Sequence, residues 1–325
     1  MSLPRDVVLL LTHSGDYFTV DRVAEALSKR GAQPFRLDTD QFPMTVRLSA
    51  GLGSDKLCHR LEYGERSVGT DEVQAVWMRR LWQPKLSQEL APQFQESCAR
   101  ESLAALCGFL DSLSEVRWVD TLQHIWVAEN KLRQLRVARE VGLQIPRTLV
   151  TNDPKQVREF FQEVEGKMVA KLLTPLSTSM EGSSFFVYTS AVRESDLVEA
   201  ETLRYSPMVF QEQIPKLREL RVVFVDGTLF VGALDAKSYS ELTMDWRRAT
   251  PQECLWQPDE LPREVARCVH SFMASFGLVF GAIDLIRTPA GEHIFLEVNP
   301  TGEWGMLERD LGFPIASAIA DALLA

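Results

Sequence analysis

The chain begins, after a short polar lead, with a run that has no polar interruption, Val7-Val8-Leu9-Leu10-Leu11, ending at Thr12. An apolar run of that length predicts a strand buried on both faces, the environment of a parallel sheet. It is too short for a signal-peptide core, and no small-residue cleavage site follows it. Asp16 to Arg30 carries Val20, Val23, Ala24 and Leu27 at helical spacing, and Gly31 is placed to end that helix. A second strand, Gln33 to Leu37, runs into Asp38-Thr39-Asp40. Between Thr45 and Arg66 the pattern changes to short alternating runs broken by Gly51, Gly53 and Gly64, which predicts hairpins. Ala75-Val76-Trp77-Met78 returns to the sheet, and Ser87 to Leu113 reads as one long amphipathic helix.

After Val116 to Val119 the periodicity starts afresh. A helix is predicted over Ala128 to Val141, closed by Gly142, with Pro146 preventing its continuation. Strands at Arg147 to Val150 and Met168 to Leu172 flank a helix at Pro154 to Val164. Leu173 to Ser184, rich in Ser, Thr, Pro and Gly, reads as a mobile loop between two strands. From Met208 onward strands dominate: Met208 to Gln211, Leu220 to Val225 and Leu229 to Asp235. A helix over Pro262 to Phe276 precedes a hairpin of Val279 to Arg287 and His293 to Asn299. Ile315 to Leu324 reads as a last helix. These segments divide the chain into an N-terminal α/β domain at 1–118, a central unit at 119–190 and a C-terminal unit at 191–325.

Composition narrows the function. A chain of 325 residues with 45% hydrophobic and 25% charged residues is that of a globular protein of more than one lobe. Its net charge of −10 disfavours a nucleic-acid partner, which needs a basic face. No apolar stretch approaches the roughly 18 residues that would cross a bilayer. The five cysteines are scattered and form no CxxC pair, so they are read as reduced thiols of a cytoplasmic protein. A Walker A loop, a GxSxG elbow and an HExxH helix are all absent.

The sharpest candidate chemistry lies in the last hairpin. Asp284 is on one strand, and Glu297 and Asn299 are two apart on its partner, so the three share a sheet face. Two carboxylates and an amide oxygen are hard ligands suited to Mg²⁺ on polyphosphate oxygens. An exposed polar face would give the same spacing, but Ile283, Leu285, Leu296 and Val298 alternate with these residues. That alternation predicts one core face and one ligand face. Lys131 opens a helix after Asn130, and Lys171 ends an apolar strand beside a polar loop, each a site for a fixed positive charge or simply a solvated lysine. Glu212, Gln213 and Ile214 leave the core after Met208-Val209-Phe210, where a backbone edge and a carboxylate could meet an adenine or merely end a strand. Glu219 and Arg221 share a face of the next strand, which a cross-strand salt pair would explain equally well.

Taken in order, Lys131, Lys171, Glu212 to Ile214, Glu219, Asp284, Glu297 and Asn299 resemble the ATP-grasp superfamily. Thr12-His13-Ser14-Gly15-Asp16, Arg36-Leu37-Asp38-Thr39-Asp40-Gln41-Phe42-Pro43 and Asp245-Trp246-Arg247 are similar to the graspetide peptide ligases that crosslink microviridin, so the resemblance covers nearly the whole chain. It departs at Asn299-Pro300-Thr301-Gly302-Glu303-Trp304, where the family pattern has Gln at the position of Glu303. The resemblance implies a three-lobed fold of α/β and α+β type, with an N-terminal open α/β (pre-ATP-grasp) domain. It implies ATP and Mg²⁺ as cofactors: Lys131 and Lys171 on phosphates, Glu212, Gln213 and Ile214 on adenine, Glu219 on ribose, and Asp284, Glu297 and Asn299 on Mg²⁺. Arg221 and Arg247 are the candidate catalytic residues. The implied partner is a ribosomally made precursor peptide of leader and core, and a homodimer is compatible with the fold. The implied reaction activates Asp or Glu side chains as acyl phosphates and joins them to Ser or Thr as esters or to Lys as amides, leaving the linkage open. An ATP-grasp ligase acting on an amino acid, a small acid or a protein C-terminus is the alternative, and a nucleotide-binding protein without turnover is a third reading.

Overall fold

The computed structural model describes residues 5–51, 53, 58–173, 189–236 and 255–325. Its first unit is a parallel sheet of order β2-β1-β6-β7, formed by β1 (Val7–Thr12), β2 (Gln33–Asp38), β6 (Val73–Met78) and β7 (Arg117–Val119). β1 is apolar at every turn of the pleat because both faces are covered. Val8 and Leu10 join one core with α1 (Thr19–Ser28), whereas Val7, Leu9 and Leu11 join another with α2 (Pro92–Asp111). The predicted hairpins are a separate three-stranded sheet, β3 (Val46–Gly51), β4 (Cys58–Tyr63) and β5 (Arg66–Gly69).

The helix expected over 128–141 is present as α4 (Lys131–Glu140), and a helix that was not expected, α3 (Leu122–Ala128), precedes it. Asn130 causes the break: its side chain accepts the Arg133 N–H (3.0 Å) and caps α4, so Lys131 becomes the first helical residue. The central sheet has the order β10-β9-β11-β8, from β8 (Thr148–Thr151), β9 (Met168–Lys171), β10 (Ser190–Val192) and β11 (Met208–Glu212). A 3₁₀ stretch, Glu194–Tyr205, and α5 (Pro154–Glu163) cover it. Sheet membership therefore carries the central unit to Glu212, so the expected division at 190/191 would cut through one sheet. At its other end, α3 and α4 do not pack on this sheet. Leu135, Val137 and Ala138 of α4 join the core of the C-terminal sheet.

That sheet has the order β14-β13-β12-β15-β16, built from β12 (Arg218–Val225), β13 (Thr228–Asp235), β14 (Gln257–Pro258), β15 (Phe280–Arg287) and β16 (His293–Asn299). One face, with Val222, Ile283, Leu285 and Val298, packs on α4 and α6 (Arg263–Phe276). The other carries Asp284, Glu297 and Asn299 on the last hairpin, yet its Val223, Val225, Leu234 and Phe280 are core as well. They pack beneath α7 (Gly305–Leu311) and α8 (Ile315–Leu324). α8 also lies against α1, β6 and β7, so the last helix of the chain joins the first sheet to the last. No helix among the described residues is long and apolar enough to cross a membrane.

The same junction buries Asp120, just after β7. Its carboxylate accepts the N–H groups of Val279 (2.8 Å) and Phe280 (2.9 Å) at the start of β15. Burial outweighs these bonds and pushes its pKa from 3.8 up to about 7. The folded protein therefore holds this proton more tightly than the unfolded chain does. The resulting stabilisation is complete below about pH 3.8 and is lost as pH rises through about 7. Urea midpoints between pH 4 and 7.5 are expected to fall more steeply with pH for the wild type than for Asp120→Asn. Parallel profiles would show that Asp120 does not titrate in this window.

Candidate active site

Antiparallel pairing lays the charged residues of the C-terminal sheet in one row. Arg221 of β12 faces Asp284 of β15, and Asp284 faces Glu297 of β16. Asn299 is two residues beyond Glu297, opposite Ala282, on the same face. The register slips after Asp284, so that Leu285 pairs with Phe295 and Leu296 is left unpaired. This bulge corrects the simple alternation expected for β16. Phe295, not Leu296, fills the core beside Val298, while Glu297 keeps its place on the polar face.

Each carboxylate in the row meets a cation. Arg221, 5% exposed, donates Nη1–H to Asp284 Oδ1 (2.7 Å), and its Nε and Nη2 donate to the Glu303 carbonyl (3.2 and 2.9 Å). Lys131, placed by the Asn130 cap, reaches Glu297 Oε2 (2.6 Å). Asn299 Oδ1 accepts the Thr301 N–H (3.1 Å), which starts the tight segment Thr301–Glu303 over the sheet. Gly302 is required there. A Cβ at that position would collide with Ala282 Cβ and press on Arg221 Nη2 and Asn299 Cβ at 3.1 Å each. The donor set of Asp284, Glu297 and Asn299 is all oxygen, carries two negative charges and sits on one face. It fits a hard divalent cation such as Mg²⁺.

The remaining predicted residues fall into a second group. Lys171 closes β9 opposite Val209, beside β11, which ends at Glu212. Glu212 is fixed by reciprocal bonds with Arg147: its N–H donates to the Arg147 carbonyl (3.0 Å), and its Oε1 accepts the Arg147 N–H (2.7 Å). The Gln213 N–H is also committed, to the Lys167 carbonyl (2.8 Å). The half-buried Ile214 N–H has no hydrogen-bond partner among the described residues and is the hinge donor an adenine edge could take. Glu219 accepts from Lys216 Nζ (2.8 Å) at the start of β12. The structure thus gathers Arg221, Asp284, Glu297 and Asn299 on one sheet, with Lys131 reaching Glu297 from the start of α4, and places Lys171 and Glu212–Ile214 on and just after the strands of another, joined through the chain leading to Glu219. Arg247, its neighbours Asp245 and Trp246, and the loop residues 174–184 lie outside the described residues.

Sequence reasoning passed over Arg79. Its side chain is 1% exposed and spans two lobes, from Asp16 Oδ2 (3.4 Å) and Thr19 Oγ1 (3.3 Å) to the Thr301 carbonyl (2.7 Å) and the Glu303 carboxylate. Glu303 Oε1 in turn accepts the Trp304 and Gly305 N–H groups (3.1 and 2.9 Å) at the start of α7. The departure at Glu303 is therefore an ionic tie between the first sheet and the segment that holds Arg221. The available signal was two consecutive arginines ending a buried apolar strand.

His13 also lies at this end of the first sheet. Its ring stacks on Trp82 (4.6 Å between centroids), and its Nδ1 accepts the Gly15 N–H (3.2 Å). Burial lowers its pKa, so it sits as a neutral, structurally occupied ring at pH 7. Asp40 is held below the usual carboxylate range: burial opposes this, but bonds from Ser14 and Lys85 prevail.

The chain is similar to known proteins over nearly its whole length. Residues 7–126 match the MvdD pre-ATP grasp domain family, and residues 131–308 match the prokaryotic glutathione synthetase ATP-grasp domain family. Macrocyclase MdnB from Microcystis aeruginosa MRC is similar at 56% identity and TM-score 0.85, over 98% of this chain and 99% of that one. Macrocyclase MdnC of the same organism, solved with precursor peptide MdnA, is similar at 37% identity and TM-score 0.87, over 98% and 99%. A Chryseobacterium gregarium RiPP-associated ATP-grasp ligase, solved with ADP and a leader and core peptide, is similar at 30% identity and TM-score 0.90, over 98% and 96%. No curated protein matches the chain.

Proposed function

The chain belongs to the ATP-grasp ligases of the macrocyclase family, and we propose that it closes rings in a ribosomally made precursor peptide by joining Asp or Glu side chains to Ser, Thr or Lys side chains. The observation that carries this reading is the row Arg221–Asp284–Glu297 with Lys131 at its edge, an oxygen site whose carboxylates are held in place by Arg221 and Lys131. It sits in a chain similar over nearly its full length to a macrocyclase. The peptide would consist of leader and core, and the enzyme would act in the cytoplasm, where such peptides are made.

In this reading Asp284, Glu297 and Asn299 hold Mg²⁺, which supplies charge neutralisation on the polyphosphate. Lys171 and Lys131 bind phosphates, Ile214 and Glu212 orient adenine, and Glu219 receives the ribose. Arg221 fixes Asp284 and the Glu303 carbonyl, so that the ligand face is rigid before substrate arrives. The peptide carboxylate attacks the γ-phosphorus of ATP. A carboxyl O–P bond forms, the bond to the β-phosphate oxygen breaks, and ADP leaves. A hydroxyl or amine then attacks the acyl carbon, phosphate departs with the electron pair of the C–O bond, and the nucleophile's proton goes to the medium. Arg247 is the candidate for charge developing in these steps.

The test is mass spectrometry of a short peptide encoded next to the gene and rich in Thr, Asp, Glu or Lys, after incubation with enzyme, ATP and Mg²⁺. Loss of one water per ring, with ADP formed in step, is expected, and an unchanged peptide mass would overturn the reading. Nucleotide binding is tested separately. Lys171→Ala is expected to weaken binding of a non-hydrolysable ATP analogue by about tenfold or more, the scale of one charge-assisted contact. Lys131→Ala is expected to weaken it to a comparable or smaller extent. Unchanged affinities in calorimetric titration would place the phosphates elsewhere.

A further inference from the structure

The two arginines after β6 have opposite fates. The Leu11 carbonyl accepts the N–H groups of both Arg79 and Arg80 (3.0 Å each), which turns the chain sharply as it leaves the sheet. Arg79 is saturated with partners, as described above. The Arg80 guanidinium is half-buried, yet among the described residues it makes no hydrogen bond and no ion pair. Burial lowers its pKa, and the neighbouring charge of Arg79 adds to the effect, while Glu303 and Asp16 act from farther off in the other direction. In a protein of net charge −10 a compensating carboxylate would be easy to supply, and among the described residues none is in contact. A desolvated guanidinium without a partner is costly, and the cost is removed when an anion binds.

Its position says which anion. The ends of β1, β2 and β6 carry the loops 13–16, 38–40 and 79–82, the side of an open parallel sheet where ligands bind. The His13–Trp82 stack belongs to the same end. The Thr301–Glu303 segment, gripped from this side by Arg79, is held from the other by Arg221, which pairs with Asp284. An anion on Arg80 would therefore lie in the first lobe next to the segment that supports the proposed metal face.

We propose that Arg80 is a substrate-binding residue that receives the side-chain carboxylate of the peptide before its activation, an inference that rests on the proposed macrocyclase function. The planar fork takes both carboxylate oxygens at once and offsets the repulsion between that carboxylate and the triphosphate it must approach. Arg79 and Glu303 hold the strand end that aims it.

The experiment pairs Arg80→Gln and Arg80→Lys with two precursor peptides, the native one and one carrying Gln or Asn at the reacting acids. Wild type is expected to bind the native peptide on the order of 10- to 100-fold more tightly than the amide peptide. Arg80→Gln should bind the two equally and lose a similar factor in kcat/KM, and Arg80→Lys should restore only part of the discrimination. Affinity for the ATP analogue should stay within about twofold of wild type, since no phosphate is removed from its partners. If Arg80→Gln keeps the preference for the acidic peptide, the assignment is wrong. If it weakens the ATP analogue instead, the guanidinium serves the nucleotide and the assignment is equally wrong. Should the wild type leave the native peptide uncrosslinked, the function proposed above falls first and this inference with it.

Discussion

Asp284→Asn and Glu297→Gln are each expected to abolish measurable ring closure, but with different effects on stability. Each removes one negative charge from the oxygen set proposed to hold Mg²⁺, the ion that would neutralise charge on the transferring phosphoryl group. That contribution is several kcal/mol, or a loss on the order of 10³-fold in rate. The structural surroundings then separate the two. Asp284 is paired with Arg221 in a place where both are nearly buried, so neutralising it leaves the guanidinium without that countercharge, although an amide oxygen can still accept its Nη1–H. Removing one partner of a buried pair is destabilising because the other charge stays behind. Glu297 and Lys131 are both about a quarter exposed, and water screens the lysine when its partner is lost. Asp284→Asn should therefore lower the denaturation midpoint clearly and Glu297→Gln hardly at all, with turnover lost in both. Peptide mass and ADP release measure turnover, and urea titration measures stability. Crosslinking near the wild-type rate in either variant would remove that residue from the metal site.

Arg79→Leu is expected to be among the most destabilising single substitutions in the protein. The change leaves Asp16 without its cation and the Thr301 carbonyl without its donor, both at the junction of two lobes. Losses of this kind are about 3–5 kcal/mol for a fully buried pair. The half of the interaction that involves Glu303 is exposed to solvent and adds little, so the low end applies. Because Arg79 holds the Thr301–Glu303 segment, ring closure should also slow under conditions where the variant remains folded. A urea midpoint equal to that of the wild type would show that Arg79 contributes nothing to holding the lobes together.

Period and punctuation in the sequence determined most of the elements. The unbroken apolar run of β1 marked a strand covered on both faces, and the alternating runs from residue 45 marked hairpins. The two-residue spacing of Glu297 and Asn299 opposite Asp284 marked a shared face. These are local properties: a pleat alternates every residue, and a helix returns every 3.6. The family was legible for a related reason, since its residues keep their order along the chain however the lobes are arranged. What the sequence could not express is which surfaces meet. The bulge at Leu296 depends on how β16 pairs with β15. The packing of α3 and α4 on the C-terminal sheet, and of α8 across two sheets, depends on distant faces finding each other. Arg79 and Arg80 are adjacent and chemically identical, so no pattern distinguishes them. Only the tertiary structure brought Glu303 and Thr301 to one and left the other with no partner among the described residues, because a buried charge is decided by what approaches it in space.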